Sequence, residues 1–127
     1  MQLYKENIID HYNHPRNFGS LWNANLRRKE SNTLCGDIIE LHIKTVRNKV
    51  KDIKFTGSGC AISIASASIL TEFVEGKHIS EIQKLKQQDF LDIIGIPLSS
   101  TRMKCALLAF YALKNSLKLL QNETVTN

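Results

Sequence analysis

The apolar residues change their spacing at Gly57-Ser58-Gly59, and no other feature constrains the fold as strongly. Upstream, residues 37–56 contain two stretches in which apolar and polar side chains alternate, which is typical of half-buried strands. Arg47-Asn48-Lys49 separates the two stretches, so they are predicted to form a hairpin, with Val50 out of phase at a bulge or a turn position. Downstream, Ala61–Glu75 has a helical pattern and ends at a glycine. Strands followed by helices predict an α+β domain.

The segment before the hairpin is predicted to begin with a helix. Leu3–Asn13 has apolar residues at helical spacing, and His14-Pro15 ends the pattern because the residue before a proline is pushed out of the helical region. Residues 15–32 have mixed polarity and no sustained period. They are predicted to be irregular, with one short strand near Ala24–Lys29.

The segment after the central helix is predicted to contain three more helices. The signals are Ser80 with Gln83 as a capping box, Asp89–Ile94 closed by Gly95, and Ser99 or Ser100 as the cap of a long helix whose apolar stripe runs from Met103 to Leu120. We therefore expect a small antiparallel sheet packed on one side by helices. A single domain is predicted over residues 1–121, followed by a frayed polar tail over residues 122–127.

Composition and charge exclude several classes of protein. The chain has 127 residues and a formal charge of +5, from 17 Lys and Arg against 12 Asp and Glu. The basic residues are spread along the sequence without interleaved aromatic residues or a recognition motif, which favours a solvated face over a nucleic-acid interface. No run of about 20 apolar residues is present, and the N-terminus has no secretory or transit pattern. The expectation is a cytoplasmic protein that does not enter a membrane.

The cysteines are the residues most suited to chemistry. The sequence has three of them, an odd number, and no Cys-x-x-Cys pair, so a disulfide framework is not expected. Their spacing alone leaves three interpretations open. They are unrelated buried thiols, one reactive thiol with two bystanders, or three ligands of one metal.

The residues around each cysteine favour a shared site. Cys35 lies two residues before Asp37, and on an extended segment such residues point the same way. Cys60 follows a Gly-Ser-Gly loop at a helix start, where free N–H groups and the helix dipole favour a thiolate. Cys105 is expected in the first turn or two of the last helix beside Lys104, whose charge also favours the thiolate. Three thiolates and a carboxylate suit tetrahedral Zn²⁺, and thiolate-rich sites also hold iron–sulfur clusters.

The histidines are weaker candidates for metal ligands. His42 alternates outward on a predicted strand, while His11, His14 and His78 are expected at the surface or at helix ends. None of the four is predicted to bind the metal.

Taken together, the motifs resemble those of the iron–sulfur cluster assembly family of IscU, SufU and the NifU N-terminal domain, over nearly the whole chain. The residues that carry the resemblance are Leu3-Tyr4, Asp10-His11-Tyr12, Pro15-Arg16-Asn17, Cys35-Gly36-Asp37, Gly57-Ser58-Gly59-Cys60-Ala61 with Ala65-Ser66-Ala67-Ser68, and Lys104-Cys105-Ala106. Three ordered motifs at compatible separations are far more specific than any one of them.

The resemblance implies a site and a set of partners. Cys35, Asp37, Cys60 and Cys105 would form the metal or cluster site, and Cys105 would lie on a mobile segment that meets an incoming persulfide. We predict Cys105 as the persulfide acceptor and Lys104 as the residue that stabilises its thiolate. The implied partners are a cysteine desulfurase and apo iron–sulfur client proteins or downstream assembly factors.

Two branches of the family leave different signatures in this chain. IscU-type scaffolds have a histidine before the third cysteine and an upstream Leu-Pro-Pro-Val-Lys motif. Here Lys104 and Ile96-Pro97-Leu98-Ser99-Ser100 stand in those places, which counts against chaperone docking. Lysine before the third cysteine looks like SufU, whose members bind zinc and accept sulfur. The stretch from Ala61 to Lys104, however, is too short for the usual SufU insertion.

The leading prediction is therefore SufU-like sulfur transfer, with Zn²⁺ in the resting site. An IscU-type scaffold that assembles and transfers a [2Fe–2S] cluster, or binds Fe²⁺, is the alternative within the family. A structural-zinc module that binds nucleic acid or protein is a remote alternative. The basic segments Arg27-Arg28-Lys29 and Lys44–Lys54 are either desulfurase-docking surfaces or, as we favour, a solvated face.

Overall fold

A computed structural model describes the backbone of residues 2–126 and the side chains of residues 5–120. The elements in chain order are α1 (Gln2–Asn13), β1 (Leu26–Asn32), β2 (Asp37–Val46), β3 (Lys49–Ser58), α2 (Ala61–Val74), α3 (Ile79–Gln83), α4 (Gln87–Ile94), α5 (Ser100–Ala106) and α6 (Leu108–Thr126). The three strands form one antiparallel sheet in the order β1-β2-β3. The predicted α+β fold is confirmed, and within the described residues no helix has the length and apolar character needed to span a bilayer.

The predicted β2–β3 hairpin is present with its turn and its bulge. Arg47 and Asn48 have φ values of 53° and 62°, the left-handed pair that a tight two-residue hairpin turn requires. On the β2 side of the turn, the register shifts between Lys44 and Thr45, because Thr45 pairs with Val50 while Lys44 pairs with Asp52. One extra residue on β3 therefore makes the bulge and brings Val50 into the core, where it is fully buried.

The first strand begins and ends later in the chain than the strand predicted near Ala24–Lys29. β1 covers Leu26–Asn32, and Leu26 is its only buried residue. Its sequence is polar because it forms an edge of the sheet, where alternate side chains face solvent. A strand of this kind shows almost no apolar alternation, which explains the misplaced boundary.

The core lies between the sheet and helices α2 and α6. Ile39, Leu41 and Ile43 on β2 point to one face of the sheet and are completely buried. Both helices contact the sheet, and α2 also packs against α1, α5 and α6. The close approach around α2 follows from its small buried residues, as predicted; they are Ser63, Ala65, Ser66, Ala67 and Ser68.

The predicted long C-terminal helix is divided in two. Ser99 caps α5 by accepting a hydrogen bond from the Arg102 N–H. The sequence predicted either Ser99 or Ser100 in this role. The chain leaves the helix at Leu107, before α6 begins. Near this point the Ser63 Oγ lies 3.3 Å from the Cys105 carbonyl oxygen. The predicted frayed tail over 122–127 lies outside the described side chains.

The predicted capping box of the short third helix is wrong. His78, not Ser80, is the N-cap of α3, and it makes no side-chain cap hydrogen bond. The opposite, C-terminal end of this helix is held by Lys114 on α6, whose ammonium group donates to the carbonyls of Ile82, Gln83 and Leu85. Contacts from a distant helix therefore hold α3 in place of a side-chain cap at its start.

Two leucines of α6 test where the stability of the fold resides. Leu113 is completely buried in the core, whereas Leu119 is 45% exposed on the same helix. Leu113→Ala is expected to lower the free energy of unfolding by about 2–5 kcal/mol, because it removes buried side-chain volume and leaves a cavity. Leu119→Ala is expected to change it by less than about 0.5 kcal/mol. Urea unfolding of both variants measures the difference, and equal losses would contradict this description of the core.

Candidate metal centre

Three of the four predicted site residues come together at one end of the sheet. One ligand atom each from Cys35, Asp37 and Cys105 lies within 4.8 Å of the other two. These residues belong to the β1–β2 turn, the first position of β2 and helix α5. Residues up to 70 positions apart in sequence therefore form a single cluster of metal-ligating side chains.

Cys35 reaches the cluster through a tight turn rather than along a straight strand. Gly36 has a φ of 75°, and its N–H donates to the Asn32 carbonyl at 2.7 Å. The Asn32 side chain accepts a second hydrogen bond, from the Leu34 N–H. The expected proximity of Cys35 to Asp37 is thus found, but it results from the left-handed glycine and not from extended geometry.

Asp37 is a buried carboxylate with a donor on each oxygen. Oδ2 accepts a hydrogen bond from the Ser63 hydroxyl at 2.5 Å, and Oδ1 accepts one from the Cys60 N–H at 3.1 Å. The backbone of Gly59 passes so close that a Cβ there would lie 2.6 Å from Oδ1. Gly59, the second glycine of the predicted Gly-Ser-Gly loop, is therefore required because the backbone passes so close to the Asp37 side chain.

These hydrogen bonds decide the ionisation of Asp37. Burial raises the pKa of the carboxyl group, but hydrogen bonds from Ser63, from the thiols of Cys105 and Cys35, and from the Cys60 N–H outweigh it. The pKa of Asp37 consequently lies below its ordinary value of 3.8, and the group is an anion at neutral pH.

Cys60 stands at the edge of the cluster. It is the N-cap of α2, as predicted, and its side chain is exposed. Its sulfur lies 3.6 Å from the Ser63 hydroxyl, and it is not part of the three-residue group. Cys60 thus bonds Asp37 through its backbone N–H, while its thiol, outside the three-residue group, contacts Ser63 and the Cys105 thiol.

Cys105 differs from the sequence expectation in position and in ionisation. It lies in the last turn of the seven-residue helix α5, and its side chain is buried. Burial, followed by hydrogen bonds with Asp37, Cys35 and Cys60, raises the pKa of its thiol to about 12. Lys104 has an exposed side chain. In the metal-free site, burial therefore outweighs the thiolate stabilisation expected from Lys104 and from a helix N-terminus.

The donor set and its spacing fit a tetrahedral thiophilic metal. The sulfurs of Cys35 and Cys105 are 3.7 Å apart. Two sulfur ligands at about 2.3 Å from one tetrahedral zinc ion are separated by about 3.8 Å. Thiolates with one carboxylate also belong to the ligand types that zinc and iron accept.

Two histidines that were expected at the surface are buried. His11 shares a 2.7 Å hydrogen bond with Ser68 on α2. His42 does alternate to the outer face of the sheet, but the chain at Leu21 covers it, and the Leu21 N–H donates to its Nδ1 at 3.0 Å. Their hydrogen bonds join separate parts of the fold, which gives both rings a structural role.

Ser63 is the site residue that sequence reasoning missed. It was interpreted only as a small residue that allows close packing of α2. Its hydroxyl instead lies within 3.6 Å of Asp37 Oδ2, the Cys105 carbonyl and the Cys60 sulfur. Its place three residues after Cys60, one helical turn along the same face, was the available signal.

Comparisons with known proteins agree with this fold and site. The NifU-like N terminal domain family matches residues 3–126. The iron-sulfur cluster assembly enzyme IscU of Drosophila melanogaster is 39% identical, over 98% of this chain and 84% of its own length. The iron-sulfur cluster assembly scaffold protein IscU of Haemophilus influenzae is 37% identical, over 87% of this chain and 90% of its own length. A candidate scaffold protein for the SUF system from Fervidobacterium islandicum AW-1 has a solved structure with a TM-score of 0.77 and 27% identity, covering 91% of this chain and 97% of that one.

The fold and the site define a class: an α+β domain with a cluster of cysteine and aspartate side chains, a candidate metal centre, at one end of its sheet. Within that class, the chain belongs to the NifU-like N-terminal domain family. The family predicted from the cysteine motifs is confirmed.

The three thiols are expected to differ in reactivity in the metal-free protein. Cys35 and Cys60 are exposed, whereas Cys105 is buried with a thiol pKa of about 12. Because the thiolate is the nucleophile, iodoacetamide at neutral pH should alkylate Cys105 at least about tenfold more slowly than the other two. The rate at Cys105 should keep rising as the pH approaches 12. Peptide mass spectrometry over a pH series measures each rate, and equal rates at neutral pH would contradict the described burial.

Proposed function

We propose that this protein acts in iron–sulfur cluster assembly, where it accepts persulfide sulfur from a cysteine desulfurase. The observation that carries the proposal is the cluster of Cys35, Asp37 and Cys105 on three different elements, with the two sulfurs 3.7 Å apart. The relatives named as cluster assembly enzyme and scaffold support the same assignment.

The transfer step is a thiol–persulfide exchange. The Cys105 thiolate attacks the terminal sulfur of the desulfurase persulfide, and a sulfur–sulfur bond forms on Cys105. The sulfur–sulfur bond of the donor breaks, and its electron pair leaves with the desulfurase thiolate. The acceptor gains one sulfur atom without an external oxidant or reductant. Downstream assembly factors or apo iron–sulfur proteins then receive the product.

Four residues would hold a resting zinc ion at this site. They are Cys35, Asp37, Cys60 and Cys105, and Cys60 is already linked to Asp37 through its backbone N–H. When bound, Zn²⁺ would keep the thiols deprotonated, which opposes the rise that burial causes in the pKa of Cys105. Asp37 is the hard oxygen ligand among soft sulfurs, and so the ligand most easily exchanged. Lys104, next to Cys105 and exposed, is proposed to stabilise the thiolate that becomes free.

A scaffold role is the second candidate. Several relatives at 35–37% identity carry the name of iron–sulfur cluster assembly scaffold protein. In that case the three cysteines and Asp37 would hold a [2Fe–2S] cluster as cargo, and the exposed Cys35 and Cys60 would give the cluster a route to an acceptor.

Metal and acid-labile sulfide content separates the two candidates. We expect about one zinc and no sulfide in protein purified without air from cells supplied with both iron and zinc. Stoichiometric iron and sulfide would overturn the zinc-dependent proposal in favour of the scaffold. Protein without bound metal or sulfide would contradict both.

Serine substitutions test the acceptor. Cys105→Ser is expected to reduce sulfur uptake from a desulfurase and cysteine by at least about tenfold, because the attacking thiolate is lost. Mass spectrometry of the trapped persulfide locates the sulfur, with Cys35→Ser and Cys60→Ser as matched variants. A persulfide on Cys35 or Cys60 in the wild-type protein, or normal uptake by Cys105→Ser, would contradict the assignment.

A further inference from the structure

The Ser63 hydroxyl connects most of the predicted site. Ser63 is the third residue of α2 and is 1% exposed. Its Oγ lies 2.5 Å from Asp37 Oδ2, 3.3 Å from the Cys105 carbonyl oxygen and 3.6 Å from the Cys60 sulfur. A single side chain that is not itself a predicted ligand therefore contacts three of the four predicted ligand residues, on three different segments.

The hydroxyl has one hydrogen, and its distances show where that hydrogen goes. The carboxylate of Asp37 is both the nearer acceptor and the charged one, so Ser63 donates to Asp37. The oxygen lone pairs of Ser63 remain free to accept from the Cys60 thiol. The Ser63 side chain is thus held by its contact with Cys60, and its hydrogen bond in turn holds the Asp37 carboxylate.

The orientation of Asp37 depends on this contact. Its backbone is held in the sheet, because Asp37 pairs with Asn32 at the end of β1. Its carboxylate can still rotate about the side-chain bonds, and the donors that oppose rotation on the α2 side are the Ser63 hydroxyl and the Cys60 N–H. In the orientation so held, a carboxylate oxygen lies within 4.8 Å of the sulfurs of both Cys35 and Cys105.

We infer that Ser63 is a positioning residue that orients Asp37 as a metal ligand and joins its strand to helix α2. The inference rests on the proposed metal site and adds to it a residue outside the ligand set. Hydrogen-bonded partners of metal ligands orient the ligand, and their loss commonly weakens metal binding by about 10- to 100-fold.

Another serine of α2 provides a matched control. Ser66 is completely buried on the same helix, and its hydroxyl has no hydrogen-bond partner among the described residues. Ser63→Ala and Ser66→Ala remove the same atom from the same helix at similar burial. Only the first removes a contact with Asp37.

The experiment measures zinc affinity by competition with a chromophoric chelator, together with the visible spectrum of the Co²⁺-substituted protein. Ser63→Ala should weaken Zn²⁺ binding by about tenfold or more and alter the Co²⁺ bands, while Ser66→Ala stays within about twofold of wild type. In an Asp37→Ala background, Ser63→Ala should add less than about a twofold loss, because the two residues act as one unit.

Several outcomes would overturn the inference. They are wild-type affinity in Ser63→Ala, an equal loss in Ser66→Ala, or an undiminished loss in the Asp37→Ala background. If Ser63→Ala does not fold, the pair Ser63→Thr and Ser63→Val, which differ in a hydroxyl but not in volume, must show tighter zinc binding by the threonine variant. Absence of zinc binding by the wild-type protein would instead count against the proposed metal site.

Discussion

The buried carboxylate of Asp37 is the constraint on which the rest of the site depends. Removing a carboxylate from water is costly unless donors replace the lost hydration. Here the replacements come from Ser63, from the Cys60 N–H, and from the thiols of Cys35 and Cys105. Satisfying one buried charge therefore gathers the chemically important residues of four chain segments. The same hydrogen bonds that compensate for burial also bring together side chains that could bind a metal ion.

The fold supplies what this arrangement needs from the backbone. Asp37 begins the central strand of the sheet, where it pairs with Asn32 on β1, and the next residue, Ile38, pairs with both β1 and β3. The loop between β3 and α2 then passes over its side chain, and only a glycine at position 59 leaves room for it. Helix α5 closes the third side with Cys105. The site is anchored at Asp37 and open where Cys35 and Cys60 meet solvent, a combination that suits the proposed exchange of metal and sulfur.

Elements whose signals lie within their own residues were predicted correctly, whereas features that depend on contacts from distant parts of the chain were not. The β2–β3 hairpin has alternating side chains and a turn at Asn48, and both signals lie within the element itself. The polar edge strand β1 takes its stability from pairing, which its own residues do not reveal. The C-terminal carbonyls of α3 are bonded by Lys114, some thirty residues away, and no local pattern reveals that contact. Burial of His42 likewise depends on a loop that packs back over the sheet.

At the site, the identity of the residues was predictable and their individual states were not. The structure brings Cys35, Asp37 and Cys105 together, which the family resemblance implied and the spacing of the cysteines alone left open. Ionisation was harder to foresee, since it depends on burial from all sides. A lysine beside Cys105 in sequence favours a thiolate only if its charge reaches the sulfur through a medium of low polarity, and here Lys104 faces solvent while the thiol faces the core. The proposed acceptor role of Cys105 would therefore need a bound cation at the thiol to add to the stabilisation that the exposed Lys104 gives, which couples the proposed metal to the proposed acceptor role.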